Sequence, residues 1–191
     1  MKAVIIFTMS LFFSIPMIAQ DFCSKVECKY LNNFYRLNDS LYRSEQPGRK
    51  GFGELDKLGV KTVLNFRRLW KDDRKARDTG MDLVWMPLRA GKLTEAQILE
   101  ALKAIKGAEK PVLIHCWHGS DRTGAISAAY RIVFEGWSKE RAIEELCMEA
   151  LGYHEDRYPN VIELIEDLDV KTFRETLDID FVDLLDYSEG K

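Results

Sequence analysis

The chain has no excess of positive charge. Its 28 lysines and arginines stand against 31 aspartates and glutamates, for a formal net charge of −3. That balance provides no general affinity for nucleic acid or for an anionic membrane surface. Basic residues gather only locally, at Arg67-Arg68 and at Lys71, Arg74, Lys75 and Arg77. Asp72, Asp73 and Asp78 interrupt that cluster, which reads as a solvated helix face more readily than as a ligand patch. The sequence also lacks internal repeats and low-complexity tracts, which excludes solenoid and linker architectures. It holds 3 histidines, and His115, His118 and His154 form no ligand spacing with the carboxylates. No metal and no other cofactor is therefore implied. With 46% hydrophobic and 31% charged residues over 191 positions, the chain reads as one globular domain with a sizeable core.

Long apolar runs are confined to the start. Lys2 precedes Ala3 to Ala19, an apolar stretch that ends in a small residue before Gln20. This is a secretory signal pattern, so residues 1–19 are expected to be a leader and 20–191 the folded domain. The expected location is periplasmic or secreted. The stretch is also near the lower limit for a membrane span, so an uncleaved anchor is the alternative. Of the 4 cysteines, Cys147 shares a helical face with Ile143, Leu146 and Ala150 and is expected in the core. Cys23 and Cys28 leave two readings open: a small disulfide loop in an oxidising compartment, or two free thiols.

The densest chemistry lies in His115-Cys116-Trp117-His118-Gly119-Ser120-Asp121-Arg122-Thr123-Gly124. Val112-Leu113-Ile114 before it reads as strand, and Ala125 to Phe134 after it reads as helix. A strand that feeds a tight loop opening a helix aims several N–H groups into one bowl at the helix's positive end. Cys116 sits at the mouth of that bowl and Arg122 at its far edge. The planar fork of an arginine holds two oxygens of a tetrahedral phosphate. The same positive field favours thiolate over thiol. The pattern is that of a sulfur nucleophile set against the phosphorus of a phosphate ester. A buried structural cysteine with an incidental arginine would not also require His115, Gly119 and Thr123 in their places.

His-Cys-x5-Arg-Thr-Gly resembles the signature of the cysteine-dependent protein phosphatases, and more closely the dual-specificity branch and its bacterial relatives. The flanks are similar too: Tyr42-Arg43-Ser44-Glu45-Gln46-Pro47 matches a turn that lies near the bowl in that family. The strand ending Asn65-Phe66-Arg67 has Phe66 where leucine is usual. Arg67 is open between steadying the loop, touching substrate and forming a surface salt bridge. The resemblance spans Phe34 to Leu168. It implies thiolate attack by Cys116, a phosphocysteine intermediate and hydrolysis of that intermediate by water. It implies phosphate binding by Arg122 and by the loop residues Trp117, His118, Gly119 and Ser120. His115 would order the loop, and Thr123 would donate its hydroxyl to the sulfur unless it serves only as a helix cap. The expected partner is a phosphorylated protein or a small phosphoester.

Strand and helix signals alternate early and helices follow. Strands are expected at Phe34–Leu37, Ser40–Arg43, Val60–Phe66, Asp82–Met86 and Val112–Ile114. Helices are expected at Phe52–Leu58, Leu69–Asp78, from a Thr94/Gln97 capping box to Gly107, at Thr123–Glu135, from Ser138 to Ala150, from Pro159, and around Phe173 to Leu184. This is an α/β class: a single domain with a mostly parallel central sheet flanked by helices on both faces.

The general acid is the gap in the pattern. The family draws an aspartate from an upstream loop, but Met86 to Leu93 contains no acid. Asp82 falls in a strand and Glu95 at a helix start, neither natural for a mobile acid. Asp121, beside Arg122, is the better candidate, unless it only pairs with a loop amide or an arginine such as Arg89. Other functions remain open. A phosphoinositide or inositol-phosphate phosphatase of this type often adds lysines to the bowl, which here has none. A sulfurtransferase loop lacks the Arg-Thr-Gly ending. A non-catalytic phosphate-binding module stays possible because of the missing upstream acid.

Overall fold

The computed structural model describes residues 22–180. The expected leader and the segment from Phe181 onward lie outside the described residues. The elements run β1 (Ser24–Lys25), β2 (Tyr35–Asn38), β3 (Leu41–Ser44), α1 (Arg49–Lys57), β4 (Thr62–Asn65), α2 (Asp73–Ala76) and β5 (Asp82–Trp85). They continue with α3 (Glu95–Gly107), β6 (Val112–His115), α4 (Asp121–Phe134), α5 (Lys139–Leu146), α6 (Asn160–Asp167) and α7 (Val170–Thr176). The strands form one 6-stranded sheet in the order β1-β2-β3-β6-β4-β5. β1, β2 and β3 pair antiparallel, while β3-β6, β6-β4 and β4-β5 are parallel.

Every residue of β4 and β6 is buried, as expected for parallel strands covered on both faces. Their side chains alternate between two cores. Leu64, Val112 and Ile114 enter the larger one, with residues of α3 to α7. Val63 and Leu113 enter a smaller one with Phe34, Phe52, Leu55 and Ala76, under α1 and α2. α4 runs through the larger core and packs against α3, α5, α6 and α7. Its residues from Thr123 to Val133 are all buried, which explains why its sequence is apolar almost all round. The expected fold class is the one observed.

Arg131 of α4 is 2% exposed and meets two carboxylates: Glu135 at 2.6 Å, and Glu145 of α5 at 2.7 Å. Burial alone would lower its pKa, but the hydrogen bonds and charges of Glu145 and Glu135 outweigh that and hold it raised. Glu145 also accepts the Cys23 backbone N–H at 2.6 Å, which ties the start of the domain to α5.

Two expectations need correction. The Leu69–Asp78 helix shrinks to one turn, Asp73–Ala76, because Arg67 and Asp72 are drawn inward and hold the intervening residues as a loop. They do not belong to a solvated face. The Ser138–Ala150 helix stops at Leu146, where the Cys147 N–H caps it on Ile143 and an extended Met148 turns the chain. Cys147 is therefore exposed, and Leu151 fills the core instead. Of the two readings left open for Cys23 and Cys28, the structure has the free thiols at both positions. Cys23 belongs to the larger core and Cys28 packs against the smaller one. Burial, helped by Glu145, pushes the Cys23 thiol pKa up to about 12.

Candidate active site

β6 ends at His115 and α4 starts at Asp121, so residues 116–120 form the loop between them. Cys116 is 1% exposed. Three consecutive loop carbonyls are held from outside. The Gln46 N–H donates to Trp117 O at 3.2 Å, Asn33 Nδ2 to His118 O at 2.8 Å, and Arg43 Nη2 to Gly119 O at 2.6 Å. In a trans peptide the N–H points opposite to the C=O. The amides of His118, Gly119 and Ser120 therefore face the other way, into the bowl. Gly119 makes this possible: its φ is +76°, and a Cβ there would come within 2.5 Å of the Ser44 backbone.

Below the bowl, Asp72 joins two groups that a linear reading separates. Its carboxylate receives Arg67 Nη2 at 2.5 Å and His115 Nε2 at 2.8 Å. His115 is fully buried, and its Nδ1 lies 3.1 Å from Cys116 O. Its ring is thus fixed between the Cys116 carbonyl and the Asp72 carboxylate. Arg67 is 3% exposed and also reaches Gln46 Oε1 at 2.6 Å, so it is a buried brace and not a surface salt bridge. Burial lowers its pKa, opposed by the Asp72 charge. Arg122 is half-buried, and its Nη1 rests on Phe66 O at 3.3 Å, at the end of β4.

Thr123 is the third residue of α4, and its Oγ1 is buried with no hydrogen-bond partner. It makes no side-chain cap. Asp121 is 6% exposed, and its Oδ1 accepts the His154 backbone N–H at 3.0 Å and faces His154 Nδ1 at 2.9 Å. The loop carboxylate thus pairs with an amide, as one reading of the sequence had it, but with a distant one and with an imidazole as well. The Met86–Leu93 loop offers an exposed Arg89 and no carboxylate. Glu95 is taken by the Asp169 N–H. Asp82 pairs in register with Thr62 and through it with Val112, at the strand ends opposite to His115. Three residues of strand put it about 10 Å from the bowl end.

The mouth is aromatic. Trp117 and Trp70 are 41% and 53% exposed, and their rings lie 5.3 Å apart. Asn65 Nδ2 holds Trp70 O at 2.8 Å. The same Asn65 carboxamide oxygen accepts from Arg67, which reaches Gln46 and so Trp117. One network anchors both tryptophans.

Residues 38–136 match the family described as polymorphic toxin system, DSP-PTPase phosphatase. The chain belongs to the DSP-PTPase phosphatase family. It is 39% identical over 128 residues to the dual specificity protein phosphatase TpbA of Pseudomonas aeruginosa strain UCBPP-PA14, covering 65% of this chain. The chain spans 57% of the length of that relative. A crystal structure of a cysteine-to-serine P. aeruginosa TpbA in complex with pTyr superposes with a TM-score of 0.75 at 31% identity, covering 84% of this chain and 98% of that one. The core catalytic domain of the S. cerevisiae PP-IP phosphatase SIW14 shares the fold, with a TM-score of 0.64 at 22% identity over 78% of this chain and 94% of that one.

The residues singled out in the sequence between His115 and Thr123 come together in one site. Asn33, Arg43, Asp72 and His154, which hold or flank it, were not singled out. Only Arg43 carried a signal, through the Tyr-Arg-Ser-x-Gln-Pro turn.

Proposed function

We propose that this chain is a phosphomonoester hydrolase of the protein tyrosine and dual-specificity phosphatase type, acting through a phosphocysteine at Cys116. The observation that carries this reading is the bowl itself: inward amides of His118, Gly119 and Ser120 around Cys116, at the start of α4, with Arg122 at the rim. A phosphate seated there has its equatorial oxygens on the amides and on the Arg122 fork, which follow the charge through both half-reactions. Cys116 attacks phosphorus and the ester oxygen leaves. Water then hydrolyses the phosphocysteine, and the Thr123 hydroxyl, which has no other hydrogen-bond partner, donates to the departing sulfur. His115, locked by Asp72, orders the loop and exchanges no proton.

The aromatic mouth favours aryl phosphates, phosphotyrosine among them, over highly charged inositol phosphates. Trp117 and Trp70 offer π-faces where added lysines would bind extra phosphates, and the likeness to a TpbA structure holding pTyr supports the same choice. The substrate is accordingly a phosphorylated protein or a small aryl phosphoester. We further propose export of the chain, on the strength of the Lys2 to Ala19 pattern; mass spectrometry of protein from its native host should find a start near Gln20, and an intact Met1 on cytosolic protein would overturn it. Turnover of a chromogenic aryl phosphate tests the enzymatic reading: the chain should hydrolyse it with no added metal. Phosphate binding without turnover would make the chain a binding module.

A further inference from the structure

The loop that brings His154 to the bowl is built onto it. Asn33 Nδ2, which holds His118 O, also donates to Leu151 O at 3.1 Å. Gly152 turns the chain with φ +67°, and a Cβ there would lie 3.3 Å from Ser120 Oγ. His154 O then accepts the N–H groups of Arg157 and Tyr158 at 3.1 and 3.0 Å. The imidazole is fixed at its Nδ1 by Asp121 and is 47% exposed. Its ring centroid lies 5.8 Å from that of His118, an exposed member of the bowl. An imidazole is thereby held beside His118 of the bowl, with its inner nitrogen on a carboxylate and about half of its side chain exposed.

A leaving oxygen needs a proton donor within hydrogen-bond reach, and imidazole has the proton affinity suited to neutral pH. A carboxylate on the inner ring nitrogen fixes such a ring in one orientation. We propose that His154 is the general acid of this site and that Asp121 is the positioning residue that holds it. This rests on the reading of the chain as a Cys116-dependent phosphatase. In the first half-reaction the Cys116 thiolate forms the S–P bond and the P–O ester bond breaks. The leaving oxygen takes the proton from His154 Nε2, and the ring stays neutral with its Nδ1–H on Asp121. In the second, neutral Nε2 takes a proton from the attacking water, the new P–O bond forms, and the S–P bond breaks to return the thiolate. The protonated ring is then restored, and inorganic phosphate leaves.

The test uses the full chain and two substrates, an activated nitrophenyl phosphate and phenyl phosphate. His154→Ala should slow phenyl phosphate by about 10²–10⁴-fold and the activated ester far less, since a good leaving group needs little protonation. Imidazole in solution should restore part of the phenyl phosphate rate in that variant and none in Cys116→Ser. Asp121→Asn, which keeps an acceptor oxygen for the ring, should retain more of that rate than Asp121→Ala. Equal loss on both substrates, or no loss, overturns the role of His154 while leaving the phosphatase reading intact. An inactive parent, or a fully active Cys116→Ser, overturns the phosphatase reading and this inference with it.

Discussion

Arg43 donates to Gly119 from inside the protein: its Nη2 lies 2.6 Å from the Gly119 carbonyl, and the residue is 1% exposed. Its Nε and Nη1 are buried without partners. Burial lowers the pKa of this guanidinium, and the neighbouring Cys23, Glu145 and Cys116 oppose that fall. A cation so poorly compensated is expensive to bury. Its place under the loop accounts for it, because the bond it makes turns the Gly119–Ser120 peptide toward the bowl.

Replacing Arg43 therefore separates stability from activity. Arg43→Met removes a poorly compensated buried charge at similar volume, which offsets the hydrogen bond lost at Gly119, so the thermal midpoint should change little. The Gly119 carbonyl loses its donor, at a cost of about 1–3 kcal/mol to the loop geometry. kcat/KM for an aryl phosphate should fall by about tenfold or more. Calorimetry and steady-state rates on one preparation check both halves; a large loss of stability with normal kcat/KM would contradict this account of Arg43.

Asp72 carries the opposite signature. Asp72→Ala strands the Arg67 guanidinium and frees the His115 ring, and breaking a buried pair costs about 3–5 kcal/mol. Chemical denaturation should show that loss, and activity should fall with it because His115 holds the Cys116 carbonyl. A variant as stable as the parent would mean that Arg67 finds another partner.

The Trp70 and Trp117 pair should govern KM and not kcat. Aromatic contacts of this kind are worth about 0.5–1.5 kcal/mol each. Trp70→Ala with Trp117→Ala should raise KM for an aryl phosphate by about tenfold while changing an alkyl phosphate little. Equal effects on the two esters would show that the rings shape the loop and do not face the substrate.

The bowl was legible because its parts are adjacent in sequence: strand, cysteine, glycine and arginine fall within Val112 to Gly124, and their residue types demand one geometry. The sheet was legible from Val60 to Phe66, a stretch rich in β-branched residues, and from the short apolar run Val112 to Ile114. What supports the bowl was not legible. Asp72 meets His115 across 43 positions and Asn33 meets His118 across 85, contacts that only the closed fold creates. Asp72 looked like one charge in a mixed cluster, and nothing local distinguishes a buried aspartate from a solvated one. Cys147 shows the converse error. Helical period placed it in the core, but the helix ends one residue earlier, and periodicity does not mark where a chain turns.

Covalent catalysis by Cys116 is the central claim, and acid quenching during turnover of an aryl phosphate tests it most directly. Mass spectrometry should find one phosphoryl group on the peptide containing Cys116, and Cys116→Ser should lose both the adduct and the turnover while still binding inorganic phosphate. A Cys116→Ser chain that turns over the ester at the parent rate, with no adduct in either protein, would contradict the account.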